Sequence, residues 1–332
     1  MSIDPKDFDM PTSSFNPNPM KLGLFTDGLP NMPFEEVLDE AVKMGIEVLE
    51  LGTGGYSCAP HLDMAKLLES AQARKDFLNA IESRGLKIAA LNCSANAVGP
   101  GERWKTHAPD VMNTFRLAEL LGVKHIVSQS GLPAGSPTDT TINWVLHTYP
   151  PEMHDVLKYQ WEVTIEFWSK AAELAKSCGV ETIALENHPM NMVFNVSTLM
   201  KLRSAVGDII GLNLDPSHLF FMGGDPIMIA RKLCEEKAIY HVHGKDARIN
   251  DHIKGLECFE LGAYNGSAVN RVWNYVAVGY GPDPLWWTEF FGTLAMGDYH
   301  GPVCIEVEDP LMPNNLIAIQ KSARFLKETM LA

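Results

Sequence analysis

Eight short runs of β-forming residues alternate with helix-forming segments from about residue 20 to the end of the chain. The runs span residues 21–26, 46–52, 86–93, 123–130, 180–187, 210–215, 238–246 and 302–309. Because strands that alternate with helices pair in parallel, this order predicts an α/β protein with a parallel sheet. Eight units without a dinucleotide-binding glycine motif after the first strand favour closure into a (β/α)8 TIM barrel over an open doubly wound sheet.

The barrel is predicted to be a single domain over residues 20–332, and 332 residues are enough to build it. Hydrophobic residues make up 46% of the chain and charged residues 20%, a composition typical of a protein with a sizeable core. Residues 1–19 are rich in Pro, Asp, Asn, Ser and Met, which predicts an arm outside the barrel. Two connections are predicted to be long, about 131–156 after the fourth strand and about 247–283 after the seventh. Both follow carboxyl ends of strands, where a barrel builds its active site.

The charge and the cysteines of the chain exclude several classes of partner. The formal net charge of -14 disfavours binding to nucleic acid and to anionic membrane surfaces. The sequence contains no secretory signal and no apolar run long enough to span a bilayer. Its six cysteines form no CxxC pair and several lie in apolar runs, which indicates a reducing compartment. We therefore expect a cytoplasmic protein.

Ionisable side chains occupy the ends of the last four predicted strands, in the segments ALENHP (184–189), NLDPSH (213–218), HVHGKDAR (241–248) and IEVEDP (305–310). Residues two apart share a face of a strand. The apolar set of each strand suits contact with helices, so the polar set is predicted to point into the barrel. This polar set comprises Glu186 and His188, Asn213 and Asp215, His241, His243 and Lys245, and Cys304, Glu306 and Glu308.

Such a cluster of carboxylates is costly to bury without a cation, because the charges repel one another and each is desolvated. A divalent ion removes that cost. Three carboxylates and one imidazole are hard, oxygen-rich ligands, so Mn(II) is expected, with Mg(II) or Co(II) as alternatives to it. A single Glu or His at a strand end is ordinarily a hydrogen-bonded polar residue, so the prediction depends on four strand ends agreeing.

From about residue 20 onward the sequence resembles the xylose-isomerase-like barrel superfamily, which contains sugar isomerases and epimerases, inosose dehydratases and endonuclease IV type enzymes. The most specific segments are VLELGTGG (48–55) and the four strand ends above. The resemblance implies one metal held by Glu186, Asp215, His243 and Glu306. His243 is preferred to His241 because it precedes Lys245 and Asp246, as in the family's H-x-K-D pattern.

Five further residues are candidate substrate contacts, and each has an ordinary structural alternative. The resemblance implies that His218 contacts a substrate hydroxyl, although a buried histidine also commonly bonds a backbone carbonyl. Lys245 and Arg248 bind substrate or pair with nearby acids, and Glu308 contacts substrate or caps the last loop. The complete set is His188, His218, Lys245, Arg248 and Glu308.

A metal of this kind polarises a substrate carbonyl and stabilises the enediolate that forms when a neighbouring C–H loses its proton. That step requires a base within hydrogen-bond reach of the C–H. By the resemblance, Glu186 and Glu306 are one choice of base. The loop NWVLHTYPPEMHDVLKYQWE (143–162) offers His147 and His154 as others, since an imidazole titrates near neutrality.

The same loop looks like that of the catalytic subunit of bacterial C-glycoside deglycosidases, metal-dependent lyases that act on 3-oxo-glucosides and pair with a small β-type subunit. The resemblance implies that His147 takes the C2 proton and that the aglycone then leaves C1 by elimination. Trp144, Tyr149 and Trp161 line an aromatic subsite or simply pack the loop on the barrel.

Three other functions remain open at this level. An isomerase or epimerase of a sugar, inosose or keto-sugar uses the same metal and the same enediolate. A nuclease resembling endonuclease IV needs more metal ligands and a basic surface, which the net charge of -14 disfavours. A non-enzymatic binding barrel has no need of the four ligands. The glycine-rich segments GTGG (52–55) and GYG (279–281) do not form a recognised phosphate loop, so no sugar phosphate is predicted.

Overall fold

The computed structural model describes residues 20–259 and 267–330. The predicted arm, 1–19, lies outside the described residues. Within them, no helix is both long enough and apolar enough to cross a membrane.

Eight parallel strands close into a barrel, which confirms the predicted fold. The strands of the described chain are β1 (Lys21–Phe25), β2 (Val48–Gly52), β3 (Lys87–Cys93), β4 (His125–Ser128), β5 (Thr182–Glu186), β6 (Ile210–Leu214), β7 (Ile239–Gly244), β8 (Asp246–Ile249), β9 (Trp273–Val276) and β10 (Pro302–Ile305). The order around the wall is β1-β10-β7-β6-β5-β4-β3-β2, and β8 pairs with β9 in a separate antiparallel sheet.

Helices cover the outside of the barrel. They are α1 (Phe34–Lys43), α2 (Met64–Glu69), α3 (Ala71–Glu82), α4 (His107–Leu121), α5 (Met153–Ser177), α6 (Val196–Val206), α7 (Pro216–Met222), α8 (Pro226–Glu235), α9 (Asp251–Glu257), α10 (Pro284–Met296) and α11 (Asn315–Thr329). A large apolar cluster between strands and helices forms the main core. The helix that follows β6 begins at once, because the Asp215 carboxylate caps α7 by accepting the Ser217 amide.

The interior of the barrel has a small apolar floor and a polar upper layer. The floor is formed by Ala90, Val127 and Ala184, each two residues before a polar side chain of the same strand face. For Ala184 and Glu186 on β5, this is the shared inward face that the alternation predicts. Tyr240, expected on the outer face, instead packs against this floor, because the register between β6 and β7 shifts at this point.

The two long connections differ from each other. The chain between β4 and α5 contains only one isolated β-bridge, between Ala134 and Ile142. The connection after β7 carries the β8–β9 sheet and α9, so it is more ordered than a long loop. The predicted seventh strand, 238–246, ends at Gly244 instead. Asp246 turns the chain out of the barrel, because its carboxylate accepts the amides of Gly279 and Gly281 beyond β9.

Trp168→Ala is expected to lower the free energy of unfolding by about 3–5 kcal/mol, because it opens a cavity between α5 and the barrel wall. The indole is fully buried, and its Nε1 donates to the Ser130 carbonyl at 3.0 Å. Urea unfolding measures the change. Leu120→Ala is the control, since this side chain is 42% exposed and should shift the free energy by only about 0.5 kcal/mol. A loss under about 1 kcal/mol for Trp168→Ala would contradict the packing described.

Candidate metal centre

The four predicted ligands converge at the carboxyl ends of four adjacent strands. Glu186 ends β5, Asp215 follows β6, His243 lies in β7 and Glu306 follows β10. One ligand atom from each residue lies within 4.8 Å of the others. His243 Nδ1 lies 3.1 Å from Glu186 Oε1, 3.8 Å from Asp215 Oδ2 and 2.9 Å from Glu306 Oε2. The structure thus brings together the four side chains that the sequence singled out.

In Glu186 and Asp215, one carboxylate oxygen is held by a neighbouring donor and the other points to the common centre. The Gln129 amide donates to Glu186 Oε2 at 3.0 Å, which leaves Oε1 facing His243. The Ser217 amide and hydroxyl both donate to Asp215 Oδ1, at 2.8 and 2.6 Å. Asp215 Oδ2 is buried and has no hydrogen-bond partner.

Glu306 and His243 are arranged in the same way. Lys245 Nζ lies 3.1 Å from Glu306 Oε1, while Glu306 Oε2 is buried without a hydrogen bond. His243 Nε2 lies 3.2 Å from both carboxylate oxygens of Glu50, so its Nδ1 faces the centre. Each of the four residues therefore has one anchored atom and one central atom.

The charges of the centre depend on one another. Burial raises the pKa of the Glu186 carboxyl, but His218 and His243 outweigh burial and hold this pKa well below its usual range. Burial also raises the pKa of Asp215, and His218, His243 and Lys245 together outweigh burial and lower it. Burial disfavours a charged His243, yet Glu50 and Glu306 hold its pKa well above the usual value. The cluster stays anionic at its carboxylates and attracts positive charge to its middle.

These residues fit a single divalent cation. Two carboxylate oxygens, Asp215 Oδ2 and Glu306 Oε2, are buried without hydrogen bonds, and an unpaired buried oxygen is costly. Both residues belong to the group of four with metal-ligand spacing. Three carboxylates and one imidazole form a donor set for Mn(II), Mg(II), Co(II) or Zn(II), whereas no cysteine belongs to the group.

Two further histidines lie beside the quartet. His218 is fully buried, and its Nε2 lies 3.4 Å from Glu186 Oε1 and 3.3 Å from Asp215 Oδ2. Its Nδ1 is 2.8 Å from the Tyr275 hydroxyl. The His188 ring lies 4.3 Å from that of His218, and burial lowers the pKa of His188 to about 4. His218 and His188 therefore belong to the wall of the site, where the sequence predicted them.

Lys245 and Glu308 extend the same wall towards β9. Lys245 Nζ lies 2.8 Å from Glu308 Oε1 and 4.5 Å from the centre of the Tyr275 ring. Burial lowers the pKa of this ammonium, but Glu306 and Glu308 outweigh burial and raise it well above its usual value. Lys245 is thus a buried permanent cation, and Glu308, half exposed, faces solvent beside it.

The remaining predicted contact lies farther out. Arg248 stands on β8 with an exposed side chain, and its Nε donates to the Tyr280 carbonyl at 2.7 Å. Within the described part of the chain, this bond directs Arg248 towards the loop after β9 and away from the quartet. Its substrate contact stays a prediction.

The loop that carries His147 lies at the surface. His147 is exposed, and its Nδ1 accepts the Tyr149 amide at 3.1 Å. Among the described residues, no hydrogen bond or ion pair connects His147 to the quartet. Tyr149 is 76% exposed, whereas Trp161 is buried in α5 with the Lys201 ammonium over its ring. The base assignment of His147 stays a prediction, and Trp161 belongs to the main apolar core.

Trp144 lines an apolar cavity of about 420 Å³ between this loop and α7. Leu146, Phe194 and Phe221 also line it. The Phe221 ring lies edge-on to His218 at 6.0 Å, which places one wall of the cavity next to the wall of the metal centre. Its volume is within the range of small-molecule binding sites.

Three anchors of the centre were not predicted from the sequence. They are Gln129 after β4, Ser217 in α7 and Glu50 in β2. Ser217 had a local signal, because Asp-Pro-Ser is a typical helix start in which the Asp caps the following amides. Glu50 lies in the segment VLELGTGG, between two leucines, and its inward orientation follows the same alternation as the polar faces of the last four strands.

Comparison with known proteins identifies the family of the chain and several relatives. Residues 38–329 match the family described as xylose isomerase-like TIM barrel. A Bacillus subtilis protein named "Uncharacterized protein YfiH" is 48% identical over 314 residues, covering 94% of this chain and 99% of YfiH. Inosose dehydratase 1 of Bacillus cereus is 30% identical over 176 residues, covering 50% of this chain and 55% of the dehydratase.

Among solved structures, the IOLI protein with a bound zinc atom superposes with a TM-score of 0.61. The identity is 19%, and the match covers 93% of this chain and 98% of IOLI. At this identity the likeness concerns the fold of the barrel.

Proposed function

The chain belongs to the xylose isomerase-like TIM barrel family, and we propose that it is a metal-dependent enzyme that removes a proton beside the carbonyl of a sugar-like substrate. One observation carries this proposal. The central atoms of Glu186, Asp215, His243 and Glu306 lie within 4.8 Å of one another, and two oxygens of these residues are buried without a hydrogen bond. This is the arrangement expected of a site that holds a cation.

Glu186, Asp215, His243 and Glu306 would hold the metal, and we propose Mn(II), with Mg(II) or Co(II) as alternatives. Zinc is a further candidate metal, because the IOLI structure contains a bound zinc atom. When bound, the metal supplies a Lewis acid that stabilises negative charge on a substrate oxygen. The chain keeps this oxygen-rich site anionic through the low pKa values of Glu186 and Asp215.

Side chains around the quartet would orient the substrate. His218 and Lys245 are buried, and Glu308 is half exposed beside them. These groups provide both donors and acceptors, which suits a substrate with several hydroxyl groups. We propose that His188 and Arg248 contact parts of the substrate farther from the metal. We propose His147 as the base, with closure of its loop over the substrate bringing the imidazole to the C–H.

The more specific proposal is a lyase that cleaves the carbon–carbon bond of 3-oxo aryl C-glycosides. The base takes the C2 proton, the C2–H electrons form the C1–C2 double bond, and the C1–aryl bond breaks. The bonding pair leaves with the aryl carbon, which takes up a proton. Two observations support elimination. The relatives include inosose dehydratases, named for the loss of water, and an apolar cavity next to the site can hold an aryl group.

An isomerase or epimerase of a keto-sugar is the second candidate, and it shares the first proton transfer. The positions of Glu186 and Glu306 favour this candidate. Glu186 ends β5 and Glu306 follows β10, and β6 and β7 lie between these two strands, so the two carboxylates approach the centre from different sides. Two such carboxylates suit removal of a proton on one side of a carbon and its return on the other. The two candidates differ only in whether a leaving group departs.

The test is incubation of the purified chain with a 3-oxo aryl C-glycoside and, separately, with a simple ketose. We expect release of the free aglycone, loss of that activity after chelation and its recovery with Mn(II). Chromatography measures both products. Metal analysis of the protein accompanies the assay, with about one divalent ion per chain expected from the single quartet.

Interconversion of the ketose without aglycone release would support the isomerase and reject the lyase. Activity that survives full removal of the metal would reject the proposed function as a whole. The small β-type subunit that the sequence resemblance implies stays a prediction. A chain that is fully active by itself would argue against that subunit.

A further inference from the structure

Glu50 approaches His243 from another side of the barrel. It lies in β2, which β1 and β10 separate from β7 in the wall, so the contact crosses the interior. The Glu50 side chain is fully buried. A buried carboxylate needs donors for its oxygens, and Glu50 finds them on side chains of other strands.

Three nitrogen donors surround this carboxylate. Asn92 Nδ2 donates to Oε1 at 2.6 Å, and His241 Nε2 lies 2.8 Å from Oε2. His243 Nε2 lies 3.2 Å from both oxygens. An ionised carboxylate only accepts hydrogen bonds, so Glu50 accepts the Nε2 proton of His243, and the Nδ1 lone pair would face a cation held in the quartet. Nδ1 is the atom that faces Glu186 and Glu306.

Asn213 is another polar neighbour of this ring, with its amide nitrogen 3.2 Å from Nδ1 and 3.1 Å from Nε2 of His243. An amide nitrogen is a donor and does not accept the Nε2 proton. On the Nδ1 side the acceptors are Glu186 Oε1 and Glu306 Oε2, and both belong to the quartet that would hold the cation. Glu50 is therefore the carboxylate outside the quartet that accepts the Nε2 proton when a cation is bound at Nδ1.

Glu50, His241 and His243 also form a second group with metal-ligand spacing. In this group both oxygens of Glu50 are already used by donors, Asn92 on one and His241 on the other. By contrast, the quartet contains two oxygens that are buried without a hydrogen bond. The arrangement favours one cation in the quartet. Glu50, His241 and Asn92 then form a hydrogen-bonded support for His243 rather than a second metal site.

We infer that Glu50 is a positioning residue for the metal centre, which holds the His243 ring by its Nε2–H so that Nδ1 binds the cation. This inference rests on the proposed function. Carboxylates that accept the second N–H of a ligating histidine fix the ring and raise its basicity. His241 would in turn hold Glu50, because its Nε2 bonds the same carboxylate.

The first experiment measures the affinity of the metal-free protein for Mn(II) in wild type and in Glu50→Gln. Glutamine replaces one carboxylate oxygen by an NH2 group, which is itself a donor. It therefore accepts fewer hydrogen bonds from Asn92, His241 and His243, and the bond to His243 is weakened. We expect binding about 10–100-fold weaker, a typical loss when such a carboxylate is removed. Glu47→Gln is the matched control, three residues earlier on an exposed side chain, and it should bind Mn(II) like wild type.

The second experiment needs no change to Glu50 and uses zinc as a diamagnetic probe. Nitrogen-15 NMR of the histidine rings in the zinc-loaded wild-type protein reports which nitrogen of His243 carries the proton, with assignment from His243→Asn. We expect a protonated Nε2 and a zinc-shifted Nδ1. A proton on Nδ1 with zinc at Nε2 would overturn the inference, even if Glu50→Gln fails to fold.

Other outcomes separate this inference from the proposed function. Equal Mn(II) affinity of Glu50→Gln and wild type would reject the role of Glu50 while the metal centre stands. Two ions per chain, one of them lost in His241→Ala, would replace the support with a second metal site. No binding of Mn(II) or zinc by wild type would instead reject the proposed function.

Discussion

Glu186→Gln and Asp215→Asn are each expected to abolish turnover and to remove the metal from the purified protein. Each change replaces a central anionic oxygen by a neutral group in a quartet where Glu186 and Asp215 are both buried. A bound metal typically contributes several kcal/mol to the transition state, so turnover should fall by about 10³-fold or more. Elemental analysis and the aglycone-release assay measure the two effects.

The control for these changes is Glu181→Gln, which makes the same chemical change five residues before Glu186. The Glu181 side chain is exposed and pairs with Lys124, so both metal content and turnover should match wild type. Either quartet variant retaining a full complement of metal and near-normal turnover would show that its carboxylate is not a ligand. A variant that lost turnover but kept the metal would move that residue from metal binding to substrate chemistry.

His147→Ala is expected to stop turnover while the metal stays bound. General acid–base catalysis typically contributes about 10²–10⁴-fold, so the rate should fall by that amount. The prediction separates the role of the loop from that of the metal quartet, because His147 lies on an exposed loop and its imidazole accepts the amide of Tyr149 in the same loop. Single-turnover assays with Mn(II)-loaded protein, together with metal analysis, test it.

His252→Ala is the matched control, another histidine with an exposed side chain, in α9. It should leave turnover unchanged. Normal turnover of His147→Ala would show that the base is a different group, and His154, Glu186 and Glu306 would then be the candidates. Loss of the metal in His147→Ala would instead indicate that this loop supports the centre.

The stability of the barrel and the chemistry of its centre draw on different parts of the molecule. Trp168 and the other large apolar side chains lie between strands and helices, whereas the quartet lies inside the barrel. Inside, the apolar contribution is small, since the floor consists of Ala90, Val127 and Ala184 with Tyr240 against it. Changes to the quartet should therefore affect metal binding far more than folding.

The order of strands and the inward side chains were predictable because they follow from local periodicity. Strands alternate their side chains with a period of two, and each parallel strand delivers its carboxyl end to the same rim. Glu186, Asp215, His243 and Glu306 each stand at such an end. That is why four separate segments of sequence indicated one centre.

Details that depend on register were not predictable in the same way. The seventh strand stops at Gly244 because Asp246 binds amides from beyond β9, about thirty residues farther along the chain. Tyr240 turns to the floor because the pairing of β6 and β7 shifts by one residue. Neither signal is present in the local sequence around these residues.

By itself, the sequence determined the barrel and the set of polar side chains at one rim, since both follow from alternation within short segments. The choice of four ligands within that set followed from the family resemblance. Only the tertiary structure decided which atoms of those side chains face the centre. Gln129, Ser217, Lys245 and Glu50 each hold one atom and leave the other free. Most of these anchors lie on a different strand or helix from the ligand that they hold, and Glu50 on β2 contacts His243 on β7 across the interior of the barrel. Closure of the wall brings them into contact, and no local pattern encodes the distance between strands that are not neighbours.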